Sequence, residues 1–147
     1  TRASGSRSKA LKAAVAAARE RMTETDRQLV IYPEGTRRAP GDVPAYKWGI
    51  VELYAALDLP VVPVAHVAGR YWPRRKFLRY PGTIRARVLP AIEPGLGKEE
   101  FMRRLTGAIE TNCDALLVEA ARAKDAPPLP PTAVRRLAEL GEASGVA

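Results

Sequence analysis

A chain of 147 residues, 46% apolar and 27% charged, has the length and composition of one ordinary globular domain with a single core. Its one cysteine, Cys113, excludes a disulfide framework within the chain and agrees with a reducing compartment. No apolar run approaches the roughly 18 residues a membrane-crossing helix needs. The net charge of +8 is unevenly placed: from Leu59 to Ile92 there are seven Arg and Lys and no acid. Such a stretch is either a solvated basic surface or a contact for an anionic partner, whether lipid head groups, phosphates or nucleic acid.

The chain opens on TRASGSRSK rather than on Met, which reads like the inside of a domain. The expectation is a C-terminal portion of a longer protein. Ser8 is placed to cap a helix over 9–24, with Leu11, Val15, Ala18 and Met22 along one face. Residues 27–33, RQLVIYP, are short, β-branched and closed by proline, and predict a buried strand. The turn formers of APGDVPAY make a loop, and KWGIVELYAALD predicts a second helix that ends near Leu59-Pro60.

PVVPVAHV is an apolar strand whose two prolines suggest an edge position or irregular pairing. TIRARVL alternates Ile84, Ala86 and Val88 with Arg85 and Arg87, as a half-exposed strand should. Residues 98–123 predict the longest helix, with Phe101, Leu105, Ile109, Cys113, Leu116 and Leu117 on its apolar stripe. APPLPP reads as a stiff spacer, although such a stretch can also bind a polyproline-reading module. TAVRRLAEL makes a short last helix, followed by a tail with no hold on the core. This order of elements predicts an α/β layered domain, a mixed sheet flanked by helices, over 1–125. Residues 126–147 form a proline-rich linker, short helix and tail.

Glu34-Gly35-Thr36-Arg37 follows directly on the apolar run, where open α/β sheets bind ligands. Gly35 permits a tight turn with backbone N–H groups close to a ligand. Thr36 adds a hydroxyl, and Arg37 a planar fork that fits two phosphate oxygens. Glu34 either holds Arg37 in place or accepts hydrogen bonds from a ligand's hydroxyls. The alternative is a surface turn with an incidental ion pair.

The segment YPEGTR (residues 32–37) resembles the third block of the glycerolipid acyltransferases, especially those acting on 1-acylglycerol-3-phosphate. YKWG (46–49) resembles the family's Phe-Lys-x-Gly turn, LPVVPV (59–64) its fourth block, and Thr1-Arg2 the end of its second. The similarity runs from about Thr1 to Leu117. It implies a glycerol-3-phosphate acyltransferase-like α/β fold and transfer of a fatty acyl group from acyl-CoA or acyl-carrier protein to a lysophospholipid hydroxyl, giving phosphatidic acid. It implies that Glu34, Gly35, Thr36 and Arg37 bind the acceptor with help from Arg2. Pro63 falls in the block linked to the acyl donor or to shaping of the site. Lys47, by charge and position, is a further cation for the phosphate or else a solvated lysine. No metal or organic cofactor is required by that chemistry, and the resemblance implies work at the cytoplasmic face of the cell membrane, either peripheral or anchored by an upstream segment.

The family's catalytic pair, His-x-x-x-x-Asp, is absent from these residues: the one histidine is His66, and Tyr71 stands where the aspartate would be. His66 follows an apolar run and reads as structural; Cys113 lies on a core stripe and is no substitute. The pair is expected upstream of Thr1, and the chain alone is expected to be inactive. In GRYWPRRKFLRYPG, Tyr71, Trp72, Phe77 and Tyr80 stand among basic residues, a mixture that suits an anionic membrane surface or an acyl-CoA phosphate. Lipid is favoured over single-stranded nucleic acid, since no nucleic-acid motif accompanies it. Trp72 and Phe77 plugging the loop onto the core is the plain alternative. Two further readings stay open: an acyltransferase for another lysolipid acceptor, and a non-catalytic module that binds membranes or nucleic acid.

Overall fold

The computed structural model describes residues 9, 12–13, 15–21, 28–124 and 126–141. Residues 15–21 are helical, as the three-to-four spacing of apolar residues predicts. Ser8, Leu11 and Met22 lie outside the described residues, as do Arg2 and the tail from 142 onward.

Helix α1 (Gly49–Leu57) buries Ile50, Val51 and Tyr54 on one face. It stops at Asp58, whose φ of 53° is left-handed and whose N–H donates to the Tyr54 carbonyl. Leu59-Pro60 follows, and a residue before proline is biased away from the helical region. Strand β1 (Val64–His66) pairs antiparallel with β2 (Ala86–Val88) in the register Val64↔Val88, Ala65↔Arg87, His66↔Ala86. Val61 bridges Ile92 beyond it, so the two prolines of the segment interrupt the ladder as anticipated. Helix α2 (Lys98–Ala121) carries two acids, Glu99 and Glu100, in its first turn, where the helix dipole favours negative charge. Helix α3 (Pro131–Glu139) starts on proline, whose missing N–H is no loss at that position.

Two apolar clusters meet along α2. One gathers Ile50, Val51, Tyr54, Ile92, Phe101 and Leu105; in it the rings of Tyr54 and Phe101 stack at 3.8 Å. The Tyr54 hydroxyl donates to the Glu93 carbonyl at 2.6 Å and accepts from Leu96 N–H at 3.0 Å, so the buried phenol is satisfied. The other cluster gathers Ala65, Val67, Leu116, Leu117, Ala121, Ala133 and Leu137. Ile109 packs against both. Cys113 is half-buried on the stripe, and burial pushes its thiol up to about 11.

Three expectations change, and one open alternative is excluded. Residues 28–32 are not a buried strand: they pair with no strand among the described residues, and Leu29, Val30 and Tyr32 are exposed. Only Ile31 packs, on the Tyr54 cluster. A β-branched run states a preference for pairing; the partner must come from elsewhere in the fold. The faces of β2 are also reversed. Register sets Arg87 opposite the buried Ala65, facing α2, where it donates to Asn112 Oδ1 at 3.3 Å and to Glu119. Val88 faces outward at 73% exposure. An arginine can cover a helix with its stem when its head finds a carboxylate.

The proline-rich stretch is packed rather than free. Pro127 is buried, Leu129 lies on the core, and α3 contributes Ala133 and Leu137 to it. Among the described residues the architecture is a mixed α/β one with a small two-stranded antiparallel sheet. No helix of the described residues is long and apolar enough to cross a membrane. Finally, Trp72 and Phe77 do not plug the basic loop; Tyr71 fills that place, 6% exposed, while Phe77 stands fully in solvent.

Candidate functional site

Pro33 fixes the corner of a turn closed by Gly35 N–H donating to the Tyr32 carbonyl at 2.9 Å. Gly35 sits at φ +65°, in the left-handed region a Cβ disfavours. A Cβ there would lie 3.6 Å from Lys47 Cγ, so the lysine stem runs alongside the turn. Lys47 is fixed by its own backbone, whose N–H donates to the Pro33 carbonyl at 2.8 Å. Lys47 therefore joins the four-residue motif although twelve or so residues separate them in sequence.

Glu34 does not hold Arg37. Its carboxylate accepts from the Ala45 backbone N–H and lies 3.7 Å from Arg38 Nε. Arg38 in turn reaches Asp42 at 2.8 Å. Burial raises the Glu34 carboxyl above its ordinary range, against the pull of Arg38 and with a push from Glu110. Glu110 also accepts from the Tyr46 hydroxyl at 2.7 Å, and burial first, then this bond, raises the phenol well above its usual range. A polar cluster of Glu34, Arg38, Asp42, Tyr46 and Glu110 thus supports the turn from below.

Arg37 is left facing solvent. Among the described residues its guanidinium and the Lys47 ammonium have no acidic partner within ion-pair distance; the carboxylates nearby are engaged by Arg38 and by backbone. Thr36 is exposed beside them. The arrangement offers two uncompensated cations and a hydroxyl around a glycine turn, a set that suits a phosphate monoester. The site is shallow. Two recesses of about 550 and 380 Å³ lie elsewhere, one at Gly97–Glu100 with Arg103 and one between Tyr71, Arg85 and Leu116; Glu34–Arg37 lines neither.

Pro63 is fully buried and its carbonyl accepts from Leu89 N–H at 3.0 Å, so it can shape its surroundings but not touch a ligand. The His66 ring is exposed, with Nδ1 accepting from Ala68 N–H at 3.3 Å. No group of three or more His, Cys, Asp or Glu among the described residues is arranged for a metal ion. Arg38, Asp42, Tyr46 and Glu110 were not anticipated as site residues. The spacing of four between Glu34 and Arg38, and again between Arg38 and Asp42, is the signal that could have found the first two. Tyr46–Glu110 spans 64 residues and leaves no local trace.

Residues 3–67 match the model of the family described as Acyltransferase. The chain is 42% identical over 64 residues to a 1-acyl-sn-glycerol-3-phosphate acyltransferase of Pseudomonas aeruginosa, covering 44% of this chain and 25% of that protein. It is 37% identical over 75 residues to the human 1-acyl-sn-glycerol-3-phosphate acyltransferase beta, covering 50% and 27%. A third relative, the 1-acyl-sn-glycerol-3-phosphate acyltransferase of Limnanthes alba, is 35% identical over 75 residues, covering 48% and 26%. The chain thus spans about a quarter of the length of the curated relatives it matches. No solved structure matches it. The matched segment contains the Glu34–Arg37 turn, Lys47 and Pro63, and over it the chain is similar to acyltransferases that act on 1-acyl-sn-glycerol-3-phosphate.

Proposed function

We propose that these residues form the acceptor-binding part of a layered α/β acyltransferase domain that moves a fatty acyl group to the free hydroxyl of 1-acylglycerol-3-phosphate. The donor is acyl-CoA or acyl-carrier protein, and the work is done at the cytoplasmic face of the cell membrane. Arg37 and Lys47 grip the acceptor's phosphate, Gly35 lets it approach the backbone, and Thr36 hydrogen-bonds it. Glu34 keeps Arg38 and the 38–42 loop in place. The observation that carries the reading is the Arg37 guanidinium: exposed, without an acidic partner among the described residues, beside Lys47 on a turn within the segment that matches the acyltransferase model.

Acyl transfer to a hydroxyl needs a base that takes its proton while the oxygen attacks the thioester. His66 lacks an aspartate at the required spacing, so the residues here bind and orient, and the 147-residue chain by itself should release no CoA from acyl-CoA. The deciding experiment titrates the chain with 1-acylglycerol-3-phosphate and with monoacylglycerol, each below its micelle concentration. The phosphate-bearing lipid should bind more tightly. Arg37→Ala should weaken it by roughly ten- to a hundredfold, as for loss of a charge-assisted hydrogen bond worth about 1.5–3 kcal/mol. Equal affinity for the two lipids, or an Arg37→Ala chain that binds unchanged, would contradict the assignment.

A further inference from the structure

We propose that residues 72–79 are a finger that docks the protein on an anionic lipid bilayer, and that docking carries the Glu34–Arg37 turn to head-group level. The base of the finger is built to stay closed. Tyr80 N–H donates to the Tyr71 carbonyl at 3.0 Å. The Tyr71 ring is buried so tightly on Gly82 that a Cβ there would come within 2.4 Å of it. Next to it Arg70, 3% exposed, donates to the Pro127 carbonyl at 2.8 Å.

The tip is folded too. Arg75 takes a left-handed φ of 57°, and Arg79 Nη1 donates to the carbonyls of Lys76, Phe77 and Leu78. This fixes the backbone while the side chains point away from the core. Trp72 and Leu78 are each 57% exposed, and Phe77 wholly so. A loop that only had to cover the core would have turned these residues inward; Tyr71 already does that work.

Around the three apolar side chains stand Arg74, Arg75 and Lys76, exposed, with no carboxylate anywhere between Leu59 and Ile92. One environment satisfies both features. At the surface of an anionic membrane, rings settle at head-group depth and cations lie against lipid phosphates. Single-stranded nucleic acid fits less well: Leu78 has no face on which a base could stack, and the protruding Phe77 has no opposing wall to clamp one.

The finger also touches the candidate grip. Arg74 Nη1 lies 3.5 Å from the Arg37 carbonyl oxygen. At the base, a Cβ on Gly69 would meet the Arg38 carbonyl at 3.3 Å and Pro40 at 3.2 Å. A membrane that receives Phe77 is therefore brought to the edge of the turn that would hold a lipid phosphate. This second half rests on the acceptor reading above; the docking itself does not.

The test mixes the 147-residue chain with vesicles of phosphatidylcholine, with and without phosphatidylglycerol, and measures sedimentation. Binding should require the anionic lipid and weaken with added salt. Arg75→Glu with Lys76→Glu should reduce it on the order of twentyfold or more, since each cation near such a surface is worth about fivefold. Trp72→Ser with Phe77→Ser should reduce it by roughly tenfold or more, and Phe77→Leu should largely retain it. All these side chains are exposed, and unchanged circular dichroism checks the fold. Equal binding to neutral vesicles, wild-type binding by either double variant, or tighter binding to oligo(dT) than to anionic vesicles would overturn docking. For the coupling, an environment-sensitive dye on Thr36→Cys in a Cys113→Ser background should brighten on vesicle binding. A docked protein whose dye emission does not change would overturn the coupling. Loss of the phosphate preference in the titration above would leave the docking result standing.

Discussion

Thr132 Oγ1 donates to the Pro40 carbonyl at 2.7 Å across 92 residues of sequence. The contact clasps the last helix to the loop that leaves the Glu34–Arg37 turn. Gly41 makes it possible: at φ +73°, a Cβ there would strike the Thr132 carbonyl at 2.7 Å and Ala133 Cα and Arg136 Cβ at 2.9 Å. Helix α3 is thus a brace for the candidate site rather than an appendage.

Gly41→Ala should therefore dislodge α3. The collisions are with backbone, which cannot give cheaply, and left-handed strain adds about 1–2 kcal/mol. The expected loss is on the order of 2–4 kcal/mol. Thermal unfolding measures it, and amide exchange should quicken first over 131–139. A chain as stable as the parent would show that α3 does not seat there.

Arg136 forks onto Asp114 at 2.9 and 2.6 Å and also reaches Glu139 at 2.9 Å. Its neighbour Arg135 meets Glu139 only at 3.9 Å, with both side chains more than half exposed. Arg136→Ala should cost about 1–2 kcal/mol, the strength of a charge-assisted pair reduced for partial exposure. Arg135→Ala should change stability by less than about 0.5 kcal/mol. Comparable losses in the two variants would mean that the fork contributes no more than a surface ion pair.

Lys47 can be tested apart from the fold. Its ammonium is exposed and its placement comes from a backbone hydrogen bond, so Lys47→Ala should leave the melting temperature nearly unchanged. Affinity for a phosphate-bearing lysolipid should fall by about fivefold to tenfold. Lys47→Arg should keep most of it. Unaltered affinity in Lys47→Ala would return this residue to the status of a solvated lysine.

Glu34 gives a pH signature. Burial raises its folded-state carboxyl above 4.5, so the folded chain binds the proton more tightly than the unfolded one. Its contribution is favourable below that ordinary value and is lost as pH rises through the raised one. At neutral pH the ionised, partly buried carboxylate therefore works against stability. Glu34→Gln should be at least as stable as the parent at pH 7, with that advantage shrinking toward pH 4, because Arg38 keeps Asp42 as its partner. Melting curves at the two pH values decide it; a variant that gains relative stability on acidification has the wrong sign.

Local chemistry made part of this protein legible. The apolar faces of α1 and α2 follow from a 3–4 spacing that any helix turns into one side. The halt at Asp58 follows from Leu59-Pro60, and the turn at Pro33–Gly35 from the residues that form turns best. The likeness to acyltransferases over residues 3–67 rests on short local motifs of the same kind. What neighbours at a distance decide was not readable. Glu34 pairs with Arg38 rather than Arg37 because Ala45 N–H and Asp42 arrive from the following loop. Arg87 turns inward because α2 offers Asn112 and Glu119.

Sequence by itself determined which helices form, where the glycine turn falls and which chemical groups stand on it. Tertiary structure alone decided that the guanidinium on that turn stays in solvent, that the last helix braces the loop leaving the turn, and that Phe77 stands in solvent on the loop whose Arg74 reaches the Arg37 carbonyl. Periodicity and turn propensity act over a few residues, whereas burial and contacts such as Tyr46–Glu110 and Thr132–Pro40 depend on groups brought together across 64 and 92 positions of chain.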